Sequence, residues 1–379
     1  FGGRENLRVG LANVIRQYNP GLIGIATTCL SETIGDDVSM FLHEIRNEYG
    51  DATLPPLVHV STPSYCGTHA EGFHAAVRAL VDTLAQPGPP TTHVNLMPGM
   101  VSPADVRYLK ELFDDFGLEP IVLPDYSDTL DGPAWTEYHQ IPKGGTPVAA
   151  IERMGRARAT IEFGGTLNPD GTAGASLQEK YDVPCHQTPL PVGICLTDHL
   201  CDILEDLSGR QLPQKHADER GRLVDSYVDA HKHVFGKRAV VYGEPDLVVG
   251  LAGLLAEIGI VPALCASGGE TGRLRASIAA VAPDVMSDVV VLEGVDFEEI
   301  EEHVAELNID LMVGNSKGYS LSRKLDIPLV RIGFPIHDRV GGPRCLHLGY
   351  RGAQQLFDRI TNALIEAKQD ASSVGYSYM

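Results

Sequence analysis

The sequence predicts an α/β protein with three doubly wound parallel-sheet domains. Runs rich in Val and Ile are continuously apolar, which is typical of strands that are buried on both faces of a parallel sheet. Amphipathic helical patterns separate these runs, as βαβ units require. Pro, Gly and charged residues interrupt the alternation near residues 86–90 and 231–237. We therefore expect Rossmann-like domains at residues 1–92, 93–230 and 231–379.

The apolar runs are predicted as strands, and two of the helices between them have clear boundaries. In chain order the predicted strands are Leu22–Thr28, Leu57–Ser61, His93–Met97, Pro120–Leu123, Ala159–Phe163, Pro191–Cys195, Ala239–Tyr242, Pro262–Ala266, Val289–Leu292, Leu311–Val313 and Leu329–Gly333. Ser102 is a predicted helix N-cap followed by Pro103, and Gly117 stops that helix. A second helix is predicted to begin at Pro245 and to end at Gly259.

The first residues resemble the interior of a folded unit. Leu7, Leu11 and Ile15 recur at helical spacing, and no start signal precedes them. We therefore expect the first domain to be truncated at its amino terminus.

Composition limits the kinds of partner that the chain can have. The 379 residues carry a formal net charge of −20, which argues against nucleic acid, since phosphate contacts need clustered Lys and Arg. No apolar run approaches the ~20 residues of a membrane helix, and no leader pattern precedes residue 20. We expect a cytoplasmic protein that binds neither membrane nor nucleic acid.

The seven cysteines stand at positions 29, 66, 185, 195, 201, 265 and 345 and form no CxxC pair. An odd number in a chain of this size suits a reducing compartment better than a disulfide framework. Any metal site must therefore gather its ligands from distant segments or from another chain.

Cys29 follows a predicted strand directly, and an acidic helix start comes after it. Open α/β sheets bind ligands beside the carboxyl ends of their strands. A free cysteine is also among the most buried residue types, so on this motif alone a core thiol is the favoured interpretation.

Two other kinds of chemistry are disfavoured. Residues 242–250 follow a strand and open a helix, but Glu244 and Asp246 would repel the pyrophosphate of a dinucleotide. The helix dipole explains an acidic residue such as Glu32 in a first helical turn. The His-Asp-Arg run at 337–339 is interpreted as structural, and the chain contains no HExxH motif.

Several motifs stand in register along nearly the whole chain. They are TTCLSETIGDD at 27–37, HVSTPSYCGTHAEG at 59–72, ERGRLVD at 219–225, GNSKG at 314–318 and RIGFPIHDR at 331–339. In this order they resemble the nitrogenase component 1 beta subunit family, and most of all its molybdenum-iron protein beta chains. The resemblance implies an oxidoreductase subunit that passes electrons from an ATP-driven iron protein, through a P-cluster, to the cofactor that reduces dinitrogen.

The resemblance also implies roles for individual residues. Cys29 matches a ligand of the P-cluster, an 8Fe-7S cluster shared with the alpha subunit, and Ser64 matches a serine that adds an oxygen ligand in the oxidised state. Two further cysteine ligands of the family lie upstream of this chain. Phe1 matches a phenylalanine that helps dock the iron protein. Cys66 would compete for iron if the segment from Ser64 were extended, but we favour a packed, neutral thiol that is not a primary ligand.

Partners follow from the same resemblance. The family forms an alpha–beta pair that is duplicated into an alpha2beta2 heterotetramer, and the iron protein docks with MgATP. The iron-molybdenum cofactor is expected in the alpha partner, because residues 333–353 follow the beta pattern, so no catalytic residue is expected here. Two alternatives remain open: a beta-like subunit of a carbon-sulfur-cleaving reductase, and a non-catalytic cofactor-assembly scaffold. Scaffold chains commonly have glycine at the position of Cys29.

Overall fold

The apolar runs form sheets of parallel strands. The computed structural model describes residues 3–50 and 54–373. Its strands are β1(Ile23–Ala26), β2(Leu57–Val60), β3(Val94–Met97), β4(Pro120–Val122), β5(Ala159–Phe163), β6(Cys185–Thr188), β7(Arg238–Tyr242), β8(Val261–Ser267), β9(Val290–Glu293), β10(Leu311–Gly314) and β11(Leu329–Arg331).

Strand order confirms the predicted fold class. Strand β1 pairs with β2, and the larger sheets have the orders β4-β3-β5-β6 and β11-β10-β7-β8-β9. Strands β3 and β7 each pair in parallel with neighbours on both sides. The chain therefore extends each larger sheet first in one direction and then in the other, which is the doubly wound arrangement.

Helices alternate with the strands, as βαβ crossovers require. They are α1(Gly3–Tyr18), α2(Cys29–Ile34), α3(Val38–Tyr49), α4(His69–Leu84), α5(Pro103–Asp115), α6(Val148–Arg153), α7(Ala173–Tyr181), α8(Ile194–Ser208), α9(Gln214–Val234), α10(Pro245–Glu257), α11(Leu274–Val281), α12(Phe297–Val304), α13(Tyr319–Leu325) and α14(Gly349–Asp370). Within the described ranges, none of these helices combines the length and the apolar character that a bilayer crossing needs.

The chain divides into two compact units. One comprises the chain up to Met100 together with Glu119–Glu162 and Asn168–His186, and the other comprises Val101–Leu118, Phe163–Leu167 and the chain from Gln187 onward. Each of the three predicted domain ranges contains one of the sheets. The domain boundaries at residues 92 and 230 themselves stay predictions.

The predicted helix boundaries are confirmed where capping residues define them. The Ser102 hydroxyl accepts a hydrogen bond from the backbone N–H of Asp105 at 3.0 Å, so α5 begins as the sequence predicts. Pro245 is the first residue of α10, and Gly259 follows that helix with a φ of +80°. A left-handed residue at this position terminates a helix most easily when it is glycine.

The predicted strand Pro191–Cys195 is wrong. Gly193 has a φ of +89° and precedes α8, whose first residue is Ile194. The strand of this region is β6, which lies earlier and carries the polar sequence CHQT. A search for continuous apolar runs misses β6, because its polar residues have a weak preference for strand structure and pairing with the neighbouring strand decides its conformation.

Replacing Gly349 with alanine is expected to destabilise the second unit by about 3 kcal/mol, from left-handed strain and overpacking together. Gly349 has a φ of +68°, and a Cβ added there would lie 2.1 Å from Cε1 of the buried Tyr108. Urea unfolding of the purified chain measures the effect. Gly221→Ala is the control: it lies inside α9 with open space around it, and it should stabilise by about 0.5–1 kcal/mol. Equal midpoints for the two variants would contradict the prediction.

Candidate functional site

The candidate site lies where β1 and β2 end. The two strands are parallel and in register, with Ala26 opposite Val60, so both segments that follow leave the same edge of the sheet. The backbone N–H of Thr27 donates to the carbonyl of Val60 at 3.1 Å. The Thr62 hydroxyl donates to the carbonyl of Thr27 at 2.9 Å. These bonds continue the strand pairing into the loops and hold them side by side.

Cys29 and Ser64 meet at this edge although they are 35 residues apart in sequence. The sulfur of Cys29 lies 2.7 Å from the hydroxyl oxygen of Ser64, and the backbone N–H of Ser64 donates to the same sulfur at 3.1 Å. Hydrogen bonds from the Ser64 side chain and then from its backbone lower the pKa of the Cys29 thiol, against a smaller opposing effect of burial. The arrangement favours the thiolate, which is the form that binds metals and reacts as a nucleophile.

Glu32 ties the first helix of the site to both strand ends. Its carboxylate accepts a hydrogen bond from the Ser61 hydroxyl at 2.5 Å and another from the Thr27 hydroxyl. These two bonds lower the pKa of Glu32. The helix dipole alone therefore does not explain this carboxylate, which joins the segments before Cys29 and Ser64. Sequence reasoning missed this role, because Ser61 follows the neighbouring strand and is 29 residues from Glu32 in sequence.

The environment of Cys66 differs from the prediction. The backbone N–H of Cys66 donates to the carbonyl of Pro63 at 3.3 Å, which closes a turn, so the segment from Ser64 is not extended. Cys66 is exposed. The prediction of a packed thiol is therefore wrong. Because the backbone turns after Ser64, the side chains of Ser64 and Cys66 are not aligned in the way that an extended segment would align them. That Cys66 is not a primary ligand stays a prediction.

Four of the other cysteines have surroundings that favour the neutral thiol. Burial raises the pKa of Cys185, Cys201 and Cys265 to about 12. Burial, followed by the nearby Glu257 carboxylate, raises the pKa of Cys195. All seven cysteines are free thiols. Cys29 is the thiol whose pKa is lowered by its neighbours.

The donor set at the site fits part of an iron-sulfur site. A thiolate beside a hydroxyl offers a sulfur ligand and an oxygen ligand from adjacent loops. Within residues 3–50 and 54–373, no group of three or more His, Cys, Asp or Glu side chains is placed to hold a metal ion. The described chain thus presents an incomplete ligand set. Phe1, the predicted docking residue, lies outside the described residues.

Exposed apolar side chains stand next to both candidate ligands in the sequence. Leu30, next to Cys29, is 71% exposed, and Tyr65, next to Ser64, is 64% exposed. Ile34, one helical turn after Leu30, is 57% exposed. Grouped apolar side chains on a surface mark protein interaction sites. The candidate ligands therefore open onto a surface that suits a protein partner.

Two acidic residues weighed in the sequence analysis, Asp246 and Asp338, have structural partners. Asp246 is half-buried, and its carboxylate accepts a hydrogen bond from the backbone N–H of Thr166 at 2.9 Å, which gives it a structural role. Asp338 pairs with the guanidinium of Arg331 at 2.7 Å and accepts a hydrogen bond from the Ser316 hydroxyl. These contacts hold a loop, and the hydrogen bonds from Arg331 and Ser316 lower the pKa of Asp338, which makes it a weak base.

Replacing Ser64 with alanine is expected to raise the pKa of the Cys29 thiol, because the hydroxyl donor that stabilises the thiolate is lost. At a fixed pH below the thiol pKa, less thiolate is present, so Cys29 alkylation slows and its rate profile shifts to higher pH. Mass spectrometry of the Cys29 peptide in the metal-free chain measures this rate. Ser61→Ala removes a hydroxyl that contacts Glu32 rather than sulfur, and it should leave the profile in place. If the pH profile of Cys29 alkylation is unshifted in Ser64→Ala, the Ser64 hydroxyl does not lower the pKa of Cys29.

The doubly wound sheets define an α/β protein, and the candidate ligands lie at the carboxyl ends of parallel strands, where proteins of this class bind ligands. Residues 1–365 match the model of the family described as nitrogenase component 1 type oxidoreductase, and the chain belongs to that family. This membership confirms the family that the sequence motifs indicated.

Individual relatives agree with this assignment. The chain is 37% identical over 375 residues to a nitrogenase molybdenum-iron protein beta chain of Methanothermobacter thermautotrophicus, covering 96% of this chain and 81% of that one. It is 32% identical to a nitrogenase iron-molybdenum cofactor biosynthesis protein of Bradyrhizobium diazoefficiens, covering 98% and 77%. A solved structure of nitrogenase Cp1 at pH 6.5 superposes with a TM-score of 0.95 at 30% identity, covering all of this chain and 83% of that one.

Proposed function

We propose that this chain is the beta subunit of a nitrogenase component 1 enzyme and that Cys29 and Ser64 supply ligands to a P-cluster shared with an alpha subunit. The observation that carries the proposal is the contact of 2.7 Å between the Cys29 sulfur and the Ser64 hydroxyl oxygen. The lowered pKa of Cys29 adds support, since the thiolate is the ligand form. Similarity to molybdenum-iron protein beta chains over nearly the whole length supports the same role.

The residues of this chain have distinct roles in the proposal. The Cys29 thiolate provides the sulfur ligand, and Ser64 donates to that sulfur in the present geometry while offering its own oxygen as a second donor. Glu32 keeps the two loops in place through the Thr27 and Ser61 hydroxyls. An iron-sulfur cluster bound there supplies one-electron transfer.

The incomplete ligand set and the exposed apolar side chains support a partner at this surface. Leu30, Ile34 and Tyr65 suit burial against a second protein chain. We propose that the partner is an alpha subunit, that the two form an alpha2beta2 heterotetramer, and that the alpha subunit carries the iron-molybdenum cofactor. The iron protein with MgATP would then be the electron donor.

The proposal is tested on the complete protein purified with its alpha partner without oxygen. Iron protein and MgATP are supplied with either dinitrogen or a methyl thioether, and products are measured. Ammonia formation is the expected result. Hydrocarbon and thiol without ammonia would establish the carbon-sulfur-cleaving reductase instead.

A cofactor-assembly scaffold is the second candidate. The similarity of 32% to a cofactor biosynthesis protein favours it. The presence of Cys29 favours the electron-transfer subunit, because scaffold chains commonly have glycine at that position. Release of a cofactor precursor to a recipient protein, with no product from either substrate, would establish the scaffold.

A further inference from the structure

An open cavity of about 520 Å³ in the second unit is lined by four arginines, Arg331, Arg339, Arg344 and Arg359. Strand β11, the loop at 336–346 and helix α14 form its walls. The cavity lies in a chain whose net charge is −20. Gathering four cations in one cleft of such an acidic chain costs repulsion unless negative charge offsets it.

Internal carboxylates neutralise some of these arginines but not Arg359. Asp338 pairs with Arg331 at 2.7 Å, and Arg339 lies 3.6 Å from the same carboxylate. Arg359 donates through Nη2 to the backbone carbonyl of Arg331 and makes no ion pair with a carboxylate in the part of the chain that the structure describes. Its remaining N–H groups are left for a ligand or for water. Glu366 also lines the cavity and is the carboxylate that would oppose an anion there.

The remaining walls suit a small organic anion. Val330, Ile336 and Leu346 provide apolar surface, while the side-chain amides of Gln355 and Asn362 provide further hydrogen-bonding groups. A volume of about 520 Å³ lies within the range of small-molecule sites, which combine apolar walls with a few polar groups. Guanidinium groups bind carboxylate and phosphate oxygens in pairs, with matched planar geometry.

We propose that this cavity is a binding site for a small polyanion carrying phosphate or carboxylate groups, with Arg359 and Arg339 as its principal donors. The proposal goes beyond the electron-transfer function and does not depend on it, since the residues of the site belong to a different compact unit from Cys29. A ligand there would offset the repulsion among the arginines and hold the loop at 336–346 against α14.

The test is isothermal titration of the purified complex that contains this chain, with pyrophosphate and with tricarballylate, at low and at physiological ionic strength. Saturable binding that weakens with salt is expected. Arg359→Gln should weaken binding by about tenfold or more, equivalent to 1.4 kcal/mol, and Glu366→Gln should tighten it. Arg222→Gln, an exposed position on α9 outside the cavity, is the matched control and should bind as the unaltered protein does.

Preference for pyrophosphate assigns a phosphate ligand, and preference for tricarballylate assigns a carboxylate ligand; either supports the site. Absence of binding by both probes, or unchanged binding in Arg359→Gln, would overturn it. Equal weakening in Arg222→Gln would also overturn it, because the attraction would then come from general charge. If Arg359→Gln does not unfold cooperatively, Arg339→Gln replaces it, since the Arg339 side chain is 59% exposed.

Discussion

Replacing Cys29 with alanine is expected to remove the iron-sulfur signal of the assembled protein and to lower substrate reduction by more than about 100-fold. Loss of an outer partner of a metal ligand already costs about 10- to 100-fold, and this substitution removes a proposed ligand itself. Iron content, the electron paramagnetic resonance spectrum and product formation with iron protein and MgATP measure the effect. Unchanged iron content together with an unchanged rate would exclude Cys29 from the site.

Cys66→Ser is the matched control for this experiment. Cys66 is an exposed free thiol two residues after Ser64. It lies in a turn and not in an extended segment. Its replacement should leave the iron-sulfur signal and the reduction rate intact. Loss of the signal in this variant would make Cys66 a ligand and would overturn the prediction that it is not one.

Replacing Asp105 with alanine is expected to destabilise the second unit by about 3–5 kcal/mol, the usual cost of removing one partner of a buried ion pair. The carboxylate is fully buried. It accepts hydrogen bonds from the backbone N–H groups of His347 at 2.9 Å and Leu348 at 3.1 Å. It also lies 3.0 Å from Nδ1 of the His347 ring. Alanine would leave the two backbone N–H groups buried without this acceptor and would leave the His347 ring without its charged partner.

Urea unfolding compares this variant with Asp114→Ala, a control on the same helix. Asp114 is exposed, so its removal should change stability by no more than about 0.5 kcal/mol. Similar midpoints for the two variants would show that the buried pair contributes little.

The stability difference between the unaltered protein and Asp105→Ala should depend on pH. Burial alone would raise the pKa of Asp105, but the charge and hydrogen bonds of His347 outweigh it and lower that pKa. Burial alone would lower the pKa of His347, but Asp105 outweighs it and raises that pKa.

The direction of each shift sets the pH window. The Asp105 contribution is present above its unfolded pKa of about 3.9 and is lost as pH falls through the lower folded value. The His347 contribution is present below its unfolded pKa of about 6.5 and is lost as pH rises through the higher folded value. The difference should therefore be largest between about pH 4 and pH 6.5. Unfolding midpoints measured across this range test it, and a difference that grows steadily above pH 8 would contradict it.

Local sequence patterns determined the main features of the fold. Continuous apolar runs predicted the parallel sheets, because a strand covered on both faces needs apolar residues at every position. Ser102 and Gly259 predicted helix ends, since capping depends on side chains within a few residues of the helix. The position of Cys29 directly after β1 indicated a candidate ligand, and the family motifs indicated Ser64 as a second one.

Tertiary structure alone decided which distant groups meet. It brought Ser64 to the sulfur of Cys29, connected Glu32 to Ser61, and buried Asp105 against His347. It also showed that the strand expected in the apolar run at 191–195 is instead the earlier polar strand β6, and it showed the exposure of Cys66. Apart from β6, the sequence determined the strands and their order, because those depend mainly on neighbours along the chain. The pKa values, the ligand pair and the arginine-lined cavity depend on contacts between segments far apart in sequence, which only the folded chain creates.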